Sequence, residues 1–204
     1  MVISPDFSYE QRAIGQGLRV ICGIDEAGRG PWAGPVVAAA VILDETHIPS
    51  GLNDSKKLNE AKREALFPLI MEAAQVGVGV ASAAEIDDIN ILQATYLAMS
   101  RAVEGLGLRV DLALVDGNRA PPLLCKVETI IGGDGKSLSI AAASIIAKVT
   151  RDRMMVELGL ANPVYGFARH KGYGTAAHME ALKKYGVCHE HRKSFKPIAL
   201  ILGR

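Results

Sequence analysis

Two apolar runs, Val20–Ile24 and Val36–Leu43, lie close together early in the chain, with a stretch rich in glycine and proline between them. Runs of this length that are rich in β-branched residues and bounded by Gly and Pro predict buried strands. Three further strands are predicted: 76–81, where Gly77 and Gly79 alternate with valines, 112–115 and 127–131. A helical period through Leu58, Ala61, Ala65, Leu66, Leu69 and Ile70 predicts a helix over 59–74. A short helical turn is expected at 84–88. A helix should then open at Asn90, an N-cap residue with Gln93 three positions on, and run to about Gly105. A long helix is predicted from Leu138 to Leu158, with a small-residue face at Ala141, Ala142, Ala143, Ser144 and Ala147. Thr175 is placed to cap another over 176–185. Residues 1–17 read as an irregular lead-in or short helix, and 192–204 as a last docking element.

The strands deliver acids into glycine turns. The first leads to Asp25-Glu26 and then Gly28-Arg29-Gly30; the fourth to Asp116-Gly117; the fifth to Gly132-Gly133-Asp134. Like charges held side by side are costly unless something neutralises them. Neighbouring strand ends lie about 4.8 Å apart, so acids from different strands can converge. Clustered carboxylates without nearby His or Cys favour hard cations, Mg²⁺ or Mn²⁺. Two such ions about 3.5–4 Å apart serve phosphodiester hydrolysis.

Other readings of the same residues stay open at this level. Asp25 and Glu26 could close a hairpin and face solvent. Gly28-x-Gly30-x-x-Ala33 fits a loose dinucleotide fingerprint, which would make the protein a nucleotide-dependent oxidoreductase. That motif must open a helix, and Pro35 followed by a β-branched run opposes one. Gly133 to Ser137 imitates a phosphate loop, but its leading glycine would fall at Ile130.

Charge adds to the picture through its distribution. The 204 residues carry a net charge of only +1. Residues 148–204 hold eleven Lys and Arg against four Asp and Glu, a balance of +7, which leaves −6 for the rest. A basic part beside an acid-bearing part fits a polyanion held by one and processed by the other; a binding-only nucleic-acid module fits too. The segment Tyr165 to Thr175 mixes aromatic and basic residues with glycines, as suits stacking on sugars or bases. Lys56 and Lys57 could reach a phosphate, or could simply be solvated. Cys22, Cys125 and Cys188 are scattered, and the first two read as core. Cys188-His189-Glu190-His191 looks metal-like but lacks a second pair of soft ligands, which opposes a structural zinc site. No apolar run approaches ~18 residues, and the start of the chain has no signal-peptide core. A cytoplasmic protein is the default expectation.

Taken together, several motifs resemble ribonuclease HII, the prokaryotic type 2 ribonuclease H. They are Asp25-Glu26-Ala27-Gly28-Arg29-Gly30-Pro31 with Ala33-Gly34-Pro35-Val36, Asp54-Ser55-Lys56-Lys57-Leu58, Val115-Asp116-Gly117, Gly133-Asp134, Ser144-Ile145-Ile146-Ala147-Lys148-Val149 with Arg151-Asp152, and His170-Lys171-Gly172-Tyr173-Gly174-Thr175. They occur in the family's order and span about residues 20–195. The resemblance implies an α/β ribonuclease H-like fold: a mixed five-stranded sheet flanked by helices. It implies a single catalytic domain over 1–204, with a basic helical C-terminal extension from about 160. It implies metal ligands Asp25, Glu26, Asp116 and Asp134 and two divalent ions, Mn²⁺ or Mg²⁺. Gly28, Arg29 and Gly30 would contact the ribose 2′-OH, the group that separates RNA from DNA. Tyr173 would stack on the sugar of the following deoxynucleotide. Lys56, Lys57 and Lys148 would serve as phosphate contacts or active-site lysines.

The implied activity is endonucleolytic hydrolysis of RNA paired with DNA, including cuts 5′ of ribonucleotides embedded in duplex DNA. The implied partners are those nucleic acids, with no membrane and a monomeric protein. Trp32 departs from the smaller apolar residue usual at its position. Ribonuclease HIII resembles the chain less, because it carries an extra N-terminal substrate-binding domain and usually a Glu where this chain has Asp134.

Overall fold

The computed structural model describes residues 4–204, so the first three residues of the expected lead-in lie outside it. The rest of that lead-in forms helix α1, Ser8–Gly15. Strands β1, Ile21–Ala27, and β2, Val36–Leu43, come next. Helix α2, Glu60–Ala73, begins after its Asn59 cap and runs straight into β3, Ala74–Ala81. Helix α3, Ala83–Glu104, leads to β4, Leu112–Asp116, and β5, Lys126–Ile130. Helix α4, Leu138–Ala161, is the longest. The C-terminal part is helical: α5, Phe167–His170, α6, Ala176–Tyr185, and α7, Lys196–Ile201.

The five strands form one mixed sheet in the order β3-β2-β1-β4-β5. β1, β2 and β3 are antiparallel neighbours, while β4 runs parallel to both β1 and β5. The all-apolar β2 lies inside this sheet. Its inward positions alternate between two cores. Val36, Ala38 and Ala40 pack with Cys22, Ile24 and the Ala94, Ala98 and Met99 face of α3. Ala39, Val41 and Leu43 pack under α4 and α2. Full burial of each such aliphatic chain contributes about 1.5–3 kcal/mol. α4 approaches β1 so closely that a Cβ on Gly23 would collide with the Ser139 backbone. The small face read at Ala141–Ala143 is what allows that approach, and it is fully buried.

Local capping chemistry fixes the remaining breaks. Asn90 adopts φ 65°, interrupts α3, and accepts from the Leu92 and Gln93 amides, so the turn at 84–88 and the helix after it are two pieces that meet at a kink. The first piece opens with a reciprocal capping box between Ser82 and Glu85. Thr175 accepts from the His178 amide and opens α6. Some expectations need correction. β1 extends to Ala27, so Asp25 and Glu26 lie within the strand and not beyond its end; pairing with Ala39 and Ala38 of β2 carries it on. On α2 only Leu66 and Ile70 of the expected apolar stripe are buried, and Ala61, Ala65 and Leu69 face out. Cys22 is core as expected, but Cys125 is only half-buried.

Candidate active site

Register brings the first two acids together. Ile24 of β1 pairs with Val115 of the parallel β4, so Asp25 and Asp116 follow one step later on adjacent strands. Asp134 arrives from a 3-10 turn, Gly133–Gly135, just after β5. The Gly133 amide donates to Asp116 Oδ1 at 2.7 Å and ties that turn to the end of β4. One carboxylate oxygen from each of Asp25, Asp116 and Asp134 lies within 4.8 Å of the others. Glu26 stands outside this trio. Successive side chains of a strand point to opposite faces, and Asp25 takes the α4 face that Gly23 shares. Glu26 instead meets Arg29, with Oε1 3.3 Å from the guanidinium.

The trio is short of positive charge. Asp25 is 3 % exposed and Asp134 6 %. Asp25 accepts the Glu26 amide at 2.7 Å and has no ion-pair partner among the described residues. Burial drives its carboxyl well above the usual range, and the charges of Glu26 and Asp116 push the same way. Burial also raises Asp134, helped by Asp116 and Asp54 and opposed by Lys56. Burial raises Glu26 against the opposing charge of Arg29. Lys56 Nζ lies 3.6 Å from Asp134 Oδ2. Burial works against that ammonium, yet Asp25, Asp134, Asp54 and Asp116 together raise its pKa. One exposed lysine does not balance the three clustered carboxylates. An all-oxygen donor set with surplus negative charge fits a hard divalent cation.

A cleft of about 290 Å³ opens beside the acids. Glu26, Gly28, Arg29, Gly30, Lys56, Lys148 and Tyr173 all line it, together with Ser55 and Ser144. Lys148 also pairs with Asp152 at 2.7 Å. Lys57 stands apart, near Gly135, where a Cβ would lie 3.5 Å from its Nζ. A second groove, of about 420 Å³, lies on the α3 side of Glu26 and Asp116 and is lined by Arg29, Asn118, Arg119 and Tyr96. The Gly28 turn leads into β2 and not into a helix, so a dinucleotide fingerprint is excluded there.

What sequence reading missed is how that turn is held. Two arginines of the basic surplus are buried against it, and Arg151 also lines the cleft. Arg151 of α4 donates to the carbonyls of Pro35 (2.9 Å), Lys171 (3.1 Å) and Ala33 (3.2 Å). Arg192 donates to the carbonyls of Gly34 (2.9 Å), Arg29 (2.9 Å), Gly28 (2.6 Å) and Pro35 (3.1 Å). Gly28 has φ 97°, and a Cβ there would strike the Arg151 side chain, so only glycine fits. Burial lowers Arg151 to about 10. Burial, then the charge of Arg151, lowers Arg192 to about 9. Both remain cationic at neutral pH. The Arg-Lys-Ser-Phe stretch at 192–195 carries no local signal for this role. Trp32 leaves the turn and lies against Gly174, where a Cβ would clash with the indole, and its ring centroid is 5.6 Å from that of His178. Cys188 and His191 do come together, with His178, in the C-terminal part, but they form no cluster with metal-ligand geometry among the described residues.

Residues 22–198 match the sequence family described as Ribonuclease HII. A Ribonuclease HII from Parvibaculum lavamentivorans is 56% identical over 199 residues, covering 97% of this chain and 74% of that one. A Ribonuclease HII from a Jannaschia species is 53% identical, covering 98% and 99%. The crystal structure of ribonuclease H2 from Pyrococcus horikoshii superposes with a TM-score of 0.75 at 29% identity, covering 91% of this chain and 98% of that one.

Proposed function

The chain belongs to the ribonuclease HII family, hydrolases that cut the RNA strand of RNA–DNA hybrids endonucleolytically and leave 5′-phosphates, and from that premise we propose that it also cuts 5′ of single ribonucleotides embedded in duplex DNA. The observation that carries this reading is the convergence of Asp25, Asp116 and Asp134 beside a cleft walled by the Gly28–Gly30 turn and Tyr173.

The family uses divalent metal ions. In this reading Asp25, Glu26, Asp116 and Asp134 would hold two of them, Mn²⁺ or Mg²⁺, with the Asp25, Asp116 and Asp134 oxygens close enough to one another to serve together. Such ions lower the pKa of an attacking water and stabilise the leaving oxygen. The chain's own residues position everything else. The backbone of Gly28, Arg29 and Gly30, free of bulky side chains at its two ends, reads the ribose 2′-OH. Tyr173 supports the sugar that follows. Lys56 and Lys148 draw the phosphate into the cleft, where the surrounding carboxylates would otherwise repel it. Lys57 reaches an outlying phosphate. The water oxygen bonds to phosphorus and the bond to the upstream 3′-oxygen breaks. The upstream strand keeps a 3′-hydroxyl and the ribonucleotide a 5′-phosphate.

The whole chain acts as one catalytic domain with a basic helical extension from about residue 160, as a monomer in the cytoplasm. No helix among the described residues is long and apolar enough to cross a membrane. The test is a duplex DNA containing one ribonucleotide. Incision on its 5′ side, lost in EDTA and restored by Mn²⁺ or Mg²⁺, is the expected result. Cleavage confined to long hybrids would remove the single-ribonucleotide reading, and cleavage in EDTA would remove the metal. Binding without any cleavage would favour the nucleic-acid-binding alternative.

A further inference from the structure

Tyr173 is half-exposed at the cleft, but its backbone rests on a buried run of imidazoles. His178 Nδ1 lies 3.0 Å from the Tyr173 carbonyl. His178 Nε2 lies 3.0 Å from His191 Nε2. His191 Nδ1 lies 3.0 Å from the Cys188 amide, which donates to it. Both histidines are fully buried. The backbone groups at the two ends fix every hydrogen between them. A carbonyl only accepts, so His178 carries its hydrogen on Nδ1 and presents a bare Nε2. An amide only donates, so His191 Nδ1 is bare and its hydrogen is on Nε2. The other neighbours of Nδ1 agree with this: the Cys188 thiol at 3.1 Å can donate its S–H to the bare nitrogen, and the Cys188 carbonyl, a competing acceptor, is more distant at 3.4 Å. The chain therefore runs one way: Cys188 N–H to His191, His191 to His178, His178 to the Tyr173 carbonyl.

We propose that His178 and His191 are positioning residues for Tyr173, a relay of two neutral imidazoles that locks the tyrosine's backbone and thereby aims its ring at the substrate sugar. The proposal rests on the reading of Tyr173 as the sugar-stacking residue. The surroundings are built for a rigid relay. His170 stacks on His178 at 4.5 Å and 15°. Its Nδ1 accepts the Gly172 amide at 3.2 Å, while its Nε2 donates to the Tyr165 carbonyl at 2.7 Å. Phe167 meets His178 and His191 with centroids 5.6 and 5.5 Å away. Gly172 and Tyr173 are thus gripped from both sides. A proton added to His178 would aim an N–H at the N–H of His191, so the relay works only in the neutral form. Burial favours that form in both rings and lowers His191 to about 4.

The first test is long-range ¹⁵N–¹H correlation on the wild-type protein at neutral pH. The relay requires the Nδ1–H tautomer at His178 and the Nε2–H tautomer at His191; any other pair overturns it. The second is a double-mutant cycle read as kcat/KM on duplex DNA with one ribonucleotide. His178→Phe removes the donor to Tyr173 and should lower kcat/KM about tenfold, the scale of one lost hydrogen bond. That loss should vanish in a Tyr173→Ala background, whereas a merely structural role would cost the same in both. His178→Asn, whose amide can stand at the Nδ1 position, should restore most of the activity. If Tyr173→Ala is costly but His178→Phe is silent or additive with it, the relay falls and the stacking role of Tyr173 survives. If Tyr173→Ala alone is silent, the stacking role falls and takes the relay with it. Should His178→Phe fail to fold, His191→Phe in the same cycle and the tautomer measurement decide.

Discussion

Two clusters of buried charge near the Gly28–Pro35 turn stand in opposite conditions. In one, the guanidinium groups of Arg151 and Arg192 are buried, yet the structure completes them with seven hydrogen bonds to carbonyls. In the other, Asp25, Asp116 and Asp134 crowd together with one exposed lysine at hand. Desolvated charge is tolerable when it is fully hydrogen-bonded and costly when it is not. The cationic side is therefore finished by the fold, and the anionic side is finished by something that binds. One side keeps the turn's shape; the other, in the reading proposed above, stores unfavourable energy for a divalent cation to release.

Breaking each side should have opposite consequences. Asp25→Asn removes a proposed ligand charge and should lower hybrid cleavage by roughly a thousandfold or more, the scale of losing a central electrostatic group. The same substitution relieves repulsion, so in EDTA the variant should melt no lower than wild type. Retained activity, or a collapsed fold, would contradict the contrast. Arg192→Met should do the reverse in kind. It leaves the carbonyls of Gly28, Arg29 and Gly34 without this donor, while Pro35 keeps Arg151, and at about 1–3 kcal/mol for each unpaired buried acceptor it should destabilise the fold by several kcal/mol, read by chemical denaturation, with activity lost through the turn. An Arg192→Met variant as stable as wild type would show that the clamp is not structural.

Acidity sharpens the comparison further. Carboxyls whose pKa is raised by folding hold protons that the unfolded chain has already lost. Metal-free stability should therefore fall as pH rises from about 4 through the raised values of Asp25, Glu26 and Asp134. The slope should be shallower in Asp25→Asn, and melting temperature against pH in EDTA measures both. The smallest effect is expected at Lys56. Its side chain is largely exposed, so Lys56→Met should change stability by under about 1 kcal/mol. It should raise KM for hybrids a few-fold and flatten the salt dependence of binding.

How much of this was legible in sequence depends on the range of the interaction. β2 was readable to the residue because an unbroken apolar run flanked by Pro35 has one stable environment. The starts of α6 and of the second piece of α3 were readable because Thr175 and Asn90 act on amides two or three residues away. The adjacency of Asp25 and Asp116 follows from a parallel register that no local pattern encodes, although acids beside glycine turns hinted at it. Arg151 and Arg192 were not legible. Their acceptors lie up to 164 residues away, and in sequence they look like any other part of a basic surplus. Lys148 and Arg153 likewise meet Asp152 and Glu64, so part of that surplus is spent within the protein. Of the histidine pair only His191 was weighed, within a metal-like stretch, because a hydrogen-bond direction cannot be read from spacing.

The most direct measurement of the central claim is a Mn²⁺ titration of the nucleic-acid-free protein, followed by thermal unfolding, on wild type and Asp25→Asn in parallel. At a hundredfold excess over its dissociation constant the ion should stabilise wild type by about 2.7 kcal/mol and the variant by far less. Equal stabilisation of both proteins, or none in wild type, would mean that the carboxylate side of the turn is not waiting for a cation.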